Sequence, residues 1–207
     1  NYMFDYAELT RIPLIVAGPG AEAGARRAAL TSTVDLMPTV MDLHGGKASD
    51  KVHGRNIRPL FAADGPGHDS VLYGYFAKDI NWTDGHYTYC RQPEPESIAY
   101  NHTLMPRGFT DFVSRDRLCE ADFGTFLKEC KGIPHLRLKT PSRQHTDAPA
   151  FNPIYDLETD PSQETPLQDT AIEAELETKL AEKMAQCDAP DTEYDRVGMS
   201  RQKTTPQ

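Results

Sequence analysis

The chain has 207 residues, a length that allows one large domain or a domain and a half with a real core. Its net charge of −9 and isoelectric point near 5.2 argue against nucleic acid or an anionic membrane surface as its main partner, since either calls for a positive stripe. No run approaches the 18 or more apolar residues of a membrane span.

The first residues, NYMFDYAELT, lack the charged start and apolar middle of a signal peptide and read as the middle of something longer. Ile12 to Ala17 is a continuous apolar run closed by Gly-Pro-Gly, the pattern of a strand buried on both faces. A helix is expected next, with Asp35 as N-cap, Pro38 in its first turn where no N–H is needed, and Leu36, Met37, Val40 and Met41 on one packed face. Gly45 and Gly46 supply a left-handed stop. The unit is a strand followed by a helix, as in an α/β sheet. His44 reads as a C-cap residue, and His53 and Arg55 flank Gly54 in a tight structural loop. Arg58 to Phe61 is an apolar anchor, and Ala62 to Asp69 a surface loop that marks a subdomain boundary.

Val71 to Phe76 is strand-like. Ile80 to Thr83 and His86 to Cys90 alternate about Asp84-Gly85, the preferred filling of a type I′ hairpin turn, so a three-stranded antiparallel meander is expected. On its last strand Tyr87 and Tyr89 share one face, and His86, Thr88 and Cys90 the other. Tyr100 to Phe109 reads as a packed loop or short helix, Asp111 to Leu118 and Phe123 to Lys131 as short helical pieces, His135 to Lys139 as a strand, and Thr140 to Pro153 as a loop. Ile154 to Leu157 is a last short strand. Ile172, Leu176, Leu180 and Met184, spaced by four, make an amphipathic helix over about 168–187. A polar tail follows, with Ser200 to Gln207 frayed.

No Gly-x-Ser-x-Gly, phosphate-cradling Gly-rich loop or His-Glu-x-x-His is present. Cys90, Cys119, Cys130 and Cys187 contain no Cys-x-x-Cys pair, which disfavours zinc, and free, partly buried thiols are expected. Two triplets, Asn81-Trp-Thr and Asn101-His-Thr, fit the glycosylation sequon, a pattern common by chance. Asp84-Gly85-His86 has the composition of a metal-binding Asp-His-Gly in the wrong order. His102 and Arg107 bracket apolar anchors that would hold them rigidly, and Arg grips a sulfate or carboxylate through paired hydrogen bonds.

In order along the chain, Arg11 to Gly20, Val34 to Gly45, and Gly54 to Leu60 resemble a segment of type I sulfatases. That segment runs R-[VI]-P-L-I-[VI]-x-x-P-G, V-D-L-x-P-T-x-x-D-L-x-G and G-R-x-[IL]-x-P-L. Asn81 to Tyr89, Thr103 to Pro106, Ile154 to Pro161 and Asp188 to Pro190 resemble the C-terminal subdomain of bacterial sulfatases. The resemblance implies a mixed α/β fold, α+β within this stretch: the end of an alkaline-phosphatase-like sheet (residues 1–62) and a small antiparallel subdomain packed by a C-terminal helix (63–207). It implies a sulfuric ester hydrolase in which formylglycine, made from the Cys or Ser of C/S-x-P-x-R, attacks sulfur while Ca²⁺ neutralises the sulfate oxygens. Neither that motif nor the metal-ligating Asp-His-Gly occurs here. No catalytic or metal-binding residue and no cofactor is therefore assigned to this chain; both Ca²⁺ and formylglycine are expected in an N-terminal half. These residues alone are expected to be inactive.

The substrate implied is a sulfated small molecule or carbohydrate. His102, Arg107, His86 and Arg91 are candidates for contact with the part of it beyond the sulfate. A phosphodiesterase or phosphonate hydrolase of the same superfamily, or a non-catalytic interaction domain, are the other readings, separable by the upstream nucleophile and metal segments. With part of a parent sheet absent, apolar surface should be exposed and self-association is expected. The compartment is left open.

Overall fold

A computed structural model describes residues 7–107, 111–144 and 149–200. It contains two antiparallel sheets and a long C-terminal helix, preceded by a helical N-terminal segment. The mixed class expected from sequence is therefore met.

The N-terminal segment starts with a single helical turn, α1 (Ala7–Thr10). Residues 11–17 then run without β structure, because no strand among the described residues takes up their N–H and C=O groups. The strand expected at Ile12 to Ala17 is thus absent, and Ile15 is 89 % exposed.

A 3₁₀ turn over Thr33–Asp35 leads into α2 (Leu36–Leu43), which carries Pro38 in its first turn as expected. It ends in a Schellman motif: Gly46 N–H donates to the Met41 carbonyl (2.8 Å) and Gly45 N–H to that of Asp42 (2.9 Å), with Gly45 at φ +75° and His44 as C-cap. The packed face is the reverse of the expected one. Asp35, Pro38 and Thr39 are buried, while Leu36, Met37 and Val40 are exposed.

One further turn of helix, α3 (Pro59–Ala62), begins with Pro at its first position. Between α2 and α3 the chain passes so close to Val34 that a Cβ on Gly54 would collide with the Val34 carbonyl, which fixes glycine there.

The first sheet holds β1 (Val71–Tyr73), β2 (Ile80–Thr83), β3 (Tyr87–Arg91) and β7 (Ile154–Asp156) in the order β1-β2-β3-β7, all antiparallel. The meander is as expected, but its turn is not. Thr83 pairs with Thr88, so four residues, Asp84 to Tyr87, lie between the last paired residues, and Asp84 has no positive φ. Asp84 Oδ1 instead accepts the His86 and Tyr87 N–H groups (2.9 and 2.8 Å), and Thr83 Oγ1 donates to the Tyr87 carbonyl (2.7 Å). Side-chain acceptors thus widen a turn that Asp-Gly alone would have closed in two residues.

The second sheet has the order β4-β6-β5: β4 (Ile98–Thr103), β6 (His135–Pro141) and β5 (Asp122–Gly124). Tyr100 to Thr103 lies in β4 rather than in a loop or helix, held by a six-pair register from Ile98↔Pro141 to Thr103↔Leu136. Its own interrupted pattern gives little sign of this, since strand preference depends on the partner strand. The short helix expected near 111–118 is α4 (Arg115–Cys119), capped by Ser114. Of the helical piece expected at 123–131, only a 3₁₀ turn at Lys128–Cys130 forms. Residues 108–110 and 145–148, where two loop expectations partly fall, lie outside the described residues.

Helix α5 (Thr170–Gln186) starts at Asp169, whose carboxylate accepts the N–H groups of Ala171 and Ile172. Leu176, Leu180 and Met184 are buried as their spacing requires, and they meet Trp82, Tyr89 and Ile154 of the first sheet. The polar tail is a correction. Helix α6 (Asp191–Arg196) returns Tyr194, Val197 and Met199 to the same core, with the Tyr194 hydroxyl on the Ala181 carbonyl (3.2 Å). Residues 201–207, where fraying is expected, lie outside the described residues. The four cysteines are free thiols.

Candidate functional site

Two polar clusters stand out. The first organises the N-terminal segment around Asp35, whose side chain is fully buried. Its carboxylate accepts the Ser32 N–H (2.8 Å), the Arg55 N–H (2.7 Å) and His68 Nε2 (2.8 and 3.0 Å). One turn on, Thr39 Oγ1 donates to the Asp35 carbonyl (2.6 Å) and accepts the Ile57 N–H (3.0 Å). Asp35 therefore occupies the N-cap position of α2 as expected, but its carboxylate makes no cap bond to that helix and is instead a buried acceptor joining three chain segments. Every bond it makes is internal, so the cluster is structural. His68 was missed because it sits in a stretch whose composition reads as exposed loop; its side chain is 7 % exposed.

The second cluster covers one face of the second sheet. The pairings Tyr100↔Lys139, His102↔Arg137, Asp122↔Arg137 and Gly124↔His135 place Tyr100, His102, Asp122, Gly124, His135, Arg137 and Lys139 on that face. The Arg137 guanidinium lies 4.5 Å from the Tyr100 ring centre and 4.1 Å from that of Phe126, and bonds Asp122 at 2.8 Å. That bond holds the Asp122 carboxyl below its ordinary range. Gly124 leaves room for the Phe126 ring, which a Cβ would meet at 3.2 Å.

Beside this stack, His102 Nδ1 and His135 Nε2 are 3.1 Å apart, and His135 Nδ1 is 3.1 Å from the Ile133 carbonyl. His135 is buried and His102 half-buried. Burial, then His135, then Arg137 lower the His102 pKa, with Glu193 opposing, so the ring is neutral at neutral pH. His102 Nε2 makes no hydrogen bond among the described residues.

Of the four residues singled out from sequence, His102 lies on β4 and Arg91 on β3, in different sheets, while Arg107 and His86 lie in the adjoining connections. Arg107 follows β4, bridges to Phe112 and is exposed, its guanidinium 5.7 Å from the Phe112 ring. His86 lies in the β2–β3 connection, 3.2 Å from Asp156 and 3.8 Å from Glu158. Arg91 is spent inside the fold, donating to the Val197 and Gly198 carbonyls (2.8 and 3.2 Å), Tyr89 and Glu177. His135 was not singled out. The alternation of His135, Arg137 and Lys139 shows a polar strand face, but nothing local shows that His102 lies across from it.

Among the described residues no group of three or more His, Cys, Asp or Glu could hold a metal ion. No cysteine has Pro two residues on and Arg four residues on. The residues present do not fit Ca²⁺ or a formylglycine precursor, and no step through either group is derived.

Residues 1–98 match the family model described as N-sulphoglucosamine sulphohydrolase, C-terminal. That model describes the C-terminal region of a sulfatase family, and it matches just under half of this chain. The match covers the Asp35 cluster and the β1–β3 meander and stops at the first residue of β4. A solved structure from Bacteroides thetaiotaomicron is also similar. It is described under the metabolism of multiple glycosaminoglycans orchestrated by a versatile core genetic locus. Identity is 18 % over 79 % of this chain, with a TM-score of 0.42. The chain spans 29 % of the length of that structure.

Proposed function

We propose that this chain is the C-terminal part of a sulfuric ester hydrolase of the alkaline-phosphatase-like superfamily. Residues 1–62 close the catalytic core and 63–207 form the C-terminal subdomain. In this reading the nucleophile, Ca²⁺ and formylglycine belong to residues N-terminal to the chain, which itself completes the fold and lines the substrate pocket. The match of residues 1–98 to the sulphohydrolase C-terminal model carries the proposal. A second observation supports it: Ile12, Leu14, Ile15 and Val16, with Leu36, Met37, Val40 and Leu43 of α2, present exposed apolar surface of the kind that docks against another layer.

The substrate class is a sulfated saccharide or other small sulfate ester, and the matched family's name favours a sulfated amino sugar. His102 and Arg107 are the substrate contacts, since the guanidinium of Arg107 has no hydrogen bond or ion pair among the described residues and His102 keeps Nε2 open. His86 and Arg91 play lesser parts, because acidic and carbonyl partners already engage them.

The test compares two purified proteins on an aryl sulfate and on N-sulfoglucosamine. The 207-residue chain should be inactive, and a polypeptide extended toward the N-terminus to include C/S-x-P-x-R should hydrolyse at least one. Turnover by the shorter protein, or none by the longer, would refute the proposal.

A further inference from the structure

The ligand side of His102 depends on how its proton is placed, and the second sheet supplies the means. A carbonyl oxygen only accepts, so the 3.1 Å contact with Ile133 puts a proton on His135 Nδ1. His135 is 2 % exposed and Arg137 lies on the same strand face, so a second proton on its ring would be a buried charge beside a cation. Neutral His135 therefore offers a lone pair at Nε2. The atom facing it, His102 Nδ1 at 3.1 Å, must donate. His102 is left with its proton on Nδ1 and a lone pair on Nε2, the one ring nitrogen of the pair without a partner among the described residues.

We propose that His135 is a positioning residue that locks His102 in the Nδ1–H tautomer, making His102 Nε2 an acceptor for a hydroxyl or amine of a saccharide and not a donor to sulfate. This rests on the reading of His102 as a substrate contact, and it divides the labour: Arg107 is left to meet the anion. The charged and titratable groups around His102 are His135 and Arg137 on β6, Asp122 on β5 through Arg137, and Glu193 on α6. Burial and the Arg137 cation disfavour the imidazolium, and the opposing Glu193 is outweighed. The acceptor form thus persists through neutral pH.

Two-bond ¹H–¹⁵N spectra of the histidine-labelled 207-residue chain read each tautomer directly. In the wild type, His102 and His135 should both show protonated Nδ1 and pyridine-like Nε2, and His102 should titrate below the ordinary 6.5. In His135→Ala, His102 should move toward the Nε2–H form preferred by a free imidazole. In His135→Gln, whose Oε1 stands where Nε2 was, the Nδ1–H form should be restored. Sodium sulfate added at pH 7.5 and constant ionic strength should leave the His102 Nε2 resonance in place. An Nε2–H His102 in the wild type, an unchanged tautomer in folded His135→Ala, or a saturable shift with sulfate would each overturn the inference. Should His135→Ala not fold, the wild-type spectrum and the Gln variant still decide. No turnover is measured, so a wrong tautomer would leave the sulfatase reading standing, and an inactive extended protein would leave the tautomer standing.

Discussion

Replacing Asp35 by Ala should release the N-terminal segment while leaving the sheets intact. The change strands the N–H groups of Ser32 and Arg55 and the ring nitrogen of His68, all bonded to one carboxylate that solvent does not reach. A buried donor left without its acceptor costs about 1–3 kcal/mol. Counting only the two backbone donors gives at least about 2 kcal/mol, or about 30-fold in a local opening constant at about 1.4 kcal/mol per decade. The reporter is the Ile57 amide. It bonds Thr39 Oγ1 at 3.0 Å and not Asp35, so its exchange reads the integrity of the segment instead of the deleted bond. Native-state hydrogen exchange should show Ile57 protection falling about 30-fold or more, with the core amides of Tyr89 and Leu180 unchanged. Asp35→Asn, which keeps one acceptor oxygen, should fall between. A loss under about threefold at Ile57 in Asp35→Ala would mean that the carboxylate does not hold these segments together, and the account of the cluster would fail.

Leu180→Ala empties a fully buried site between α5 and the first sheet and should cost about 2–5 kcal/mol in urea unfolding; a cost below about 1 kcal/mol would contradict the packing described. Burial pushes the Tyr89 hydroxyl up to about 12 from an ordinary 10. The folded state holds this proton more tightly than the unfolded one, so the contribution is complete below pH 10 and lost as pH rises from 10 toward about 12. Tyr89→Phe should therefore flatten the alkaline decline in stability over that window, and equal slopes for the two proteins would count against the assignment. Val40→Lys, on the exposed face of α2, should reduce self-association seen by light scattering at high concentration without lowering unfolding stability by more than about 0.5 kcal/mol.

What could be read along the chain were features whose cause is local. The four-residue spacing of Leu176, Leu180 and Met184 reports one helix face, and that face is buried. The α2 stop at Gly45 and Gly46 depends on backbone freedom within six residues, and it forms as read. Features set by distant partners were not legible. Asp35 sits where a cap would, but beyond Ser32 the partners of its carboxylate are 20 and 33 residues away, and sequence proximity does not offer them. The turn at Asp84-Gly85 was misjudged for a similar reason at shorter range, since Thr83 and Asp84 side chains take bonds that a two-residue turn leaves to the backbone. The His102–His135 contact spans 33 residues and rests on the β4–β6 register, which neither strand's pattern declares.

The inverted packing of α2 follows from the same competition. Its sequence offers two stripes: Leu36, Met37, Val40 and Leu43, and, at i and i+4, Asp35 and Thr39. Turning the apolar stripe inward would gain hydrophobic burial, yet it would expose the Asp35 and Thr39 acceptors and leave the N–H groups of Ser32, Arg55 and Ile57 buried without partners. Three stranded donors at about 1–3 kcal/mol each rival the burial of two or three aliphatic side chains at about 1.5–3 kcal/mol each. Facing the polar stripe inward satisfies the loop and leaves the apolar stripe for a second surface. Both requirements are met at once only if something docks on that stripe, which is the role the proposed catalytic core would fill. In an extended protein, Val40→Lys should then reverse its effect and destabilise, because the lysine would be placed inside the new interface. If Val40→Lys were neutral in both proteins, the exposed stripe would have no docking role.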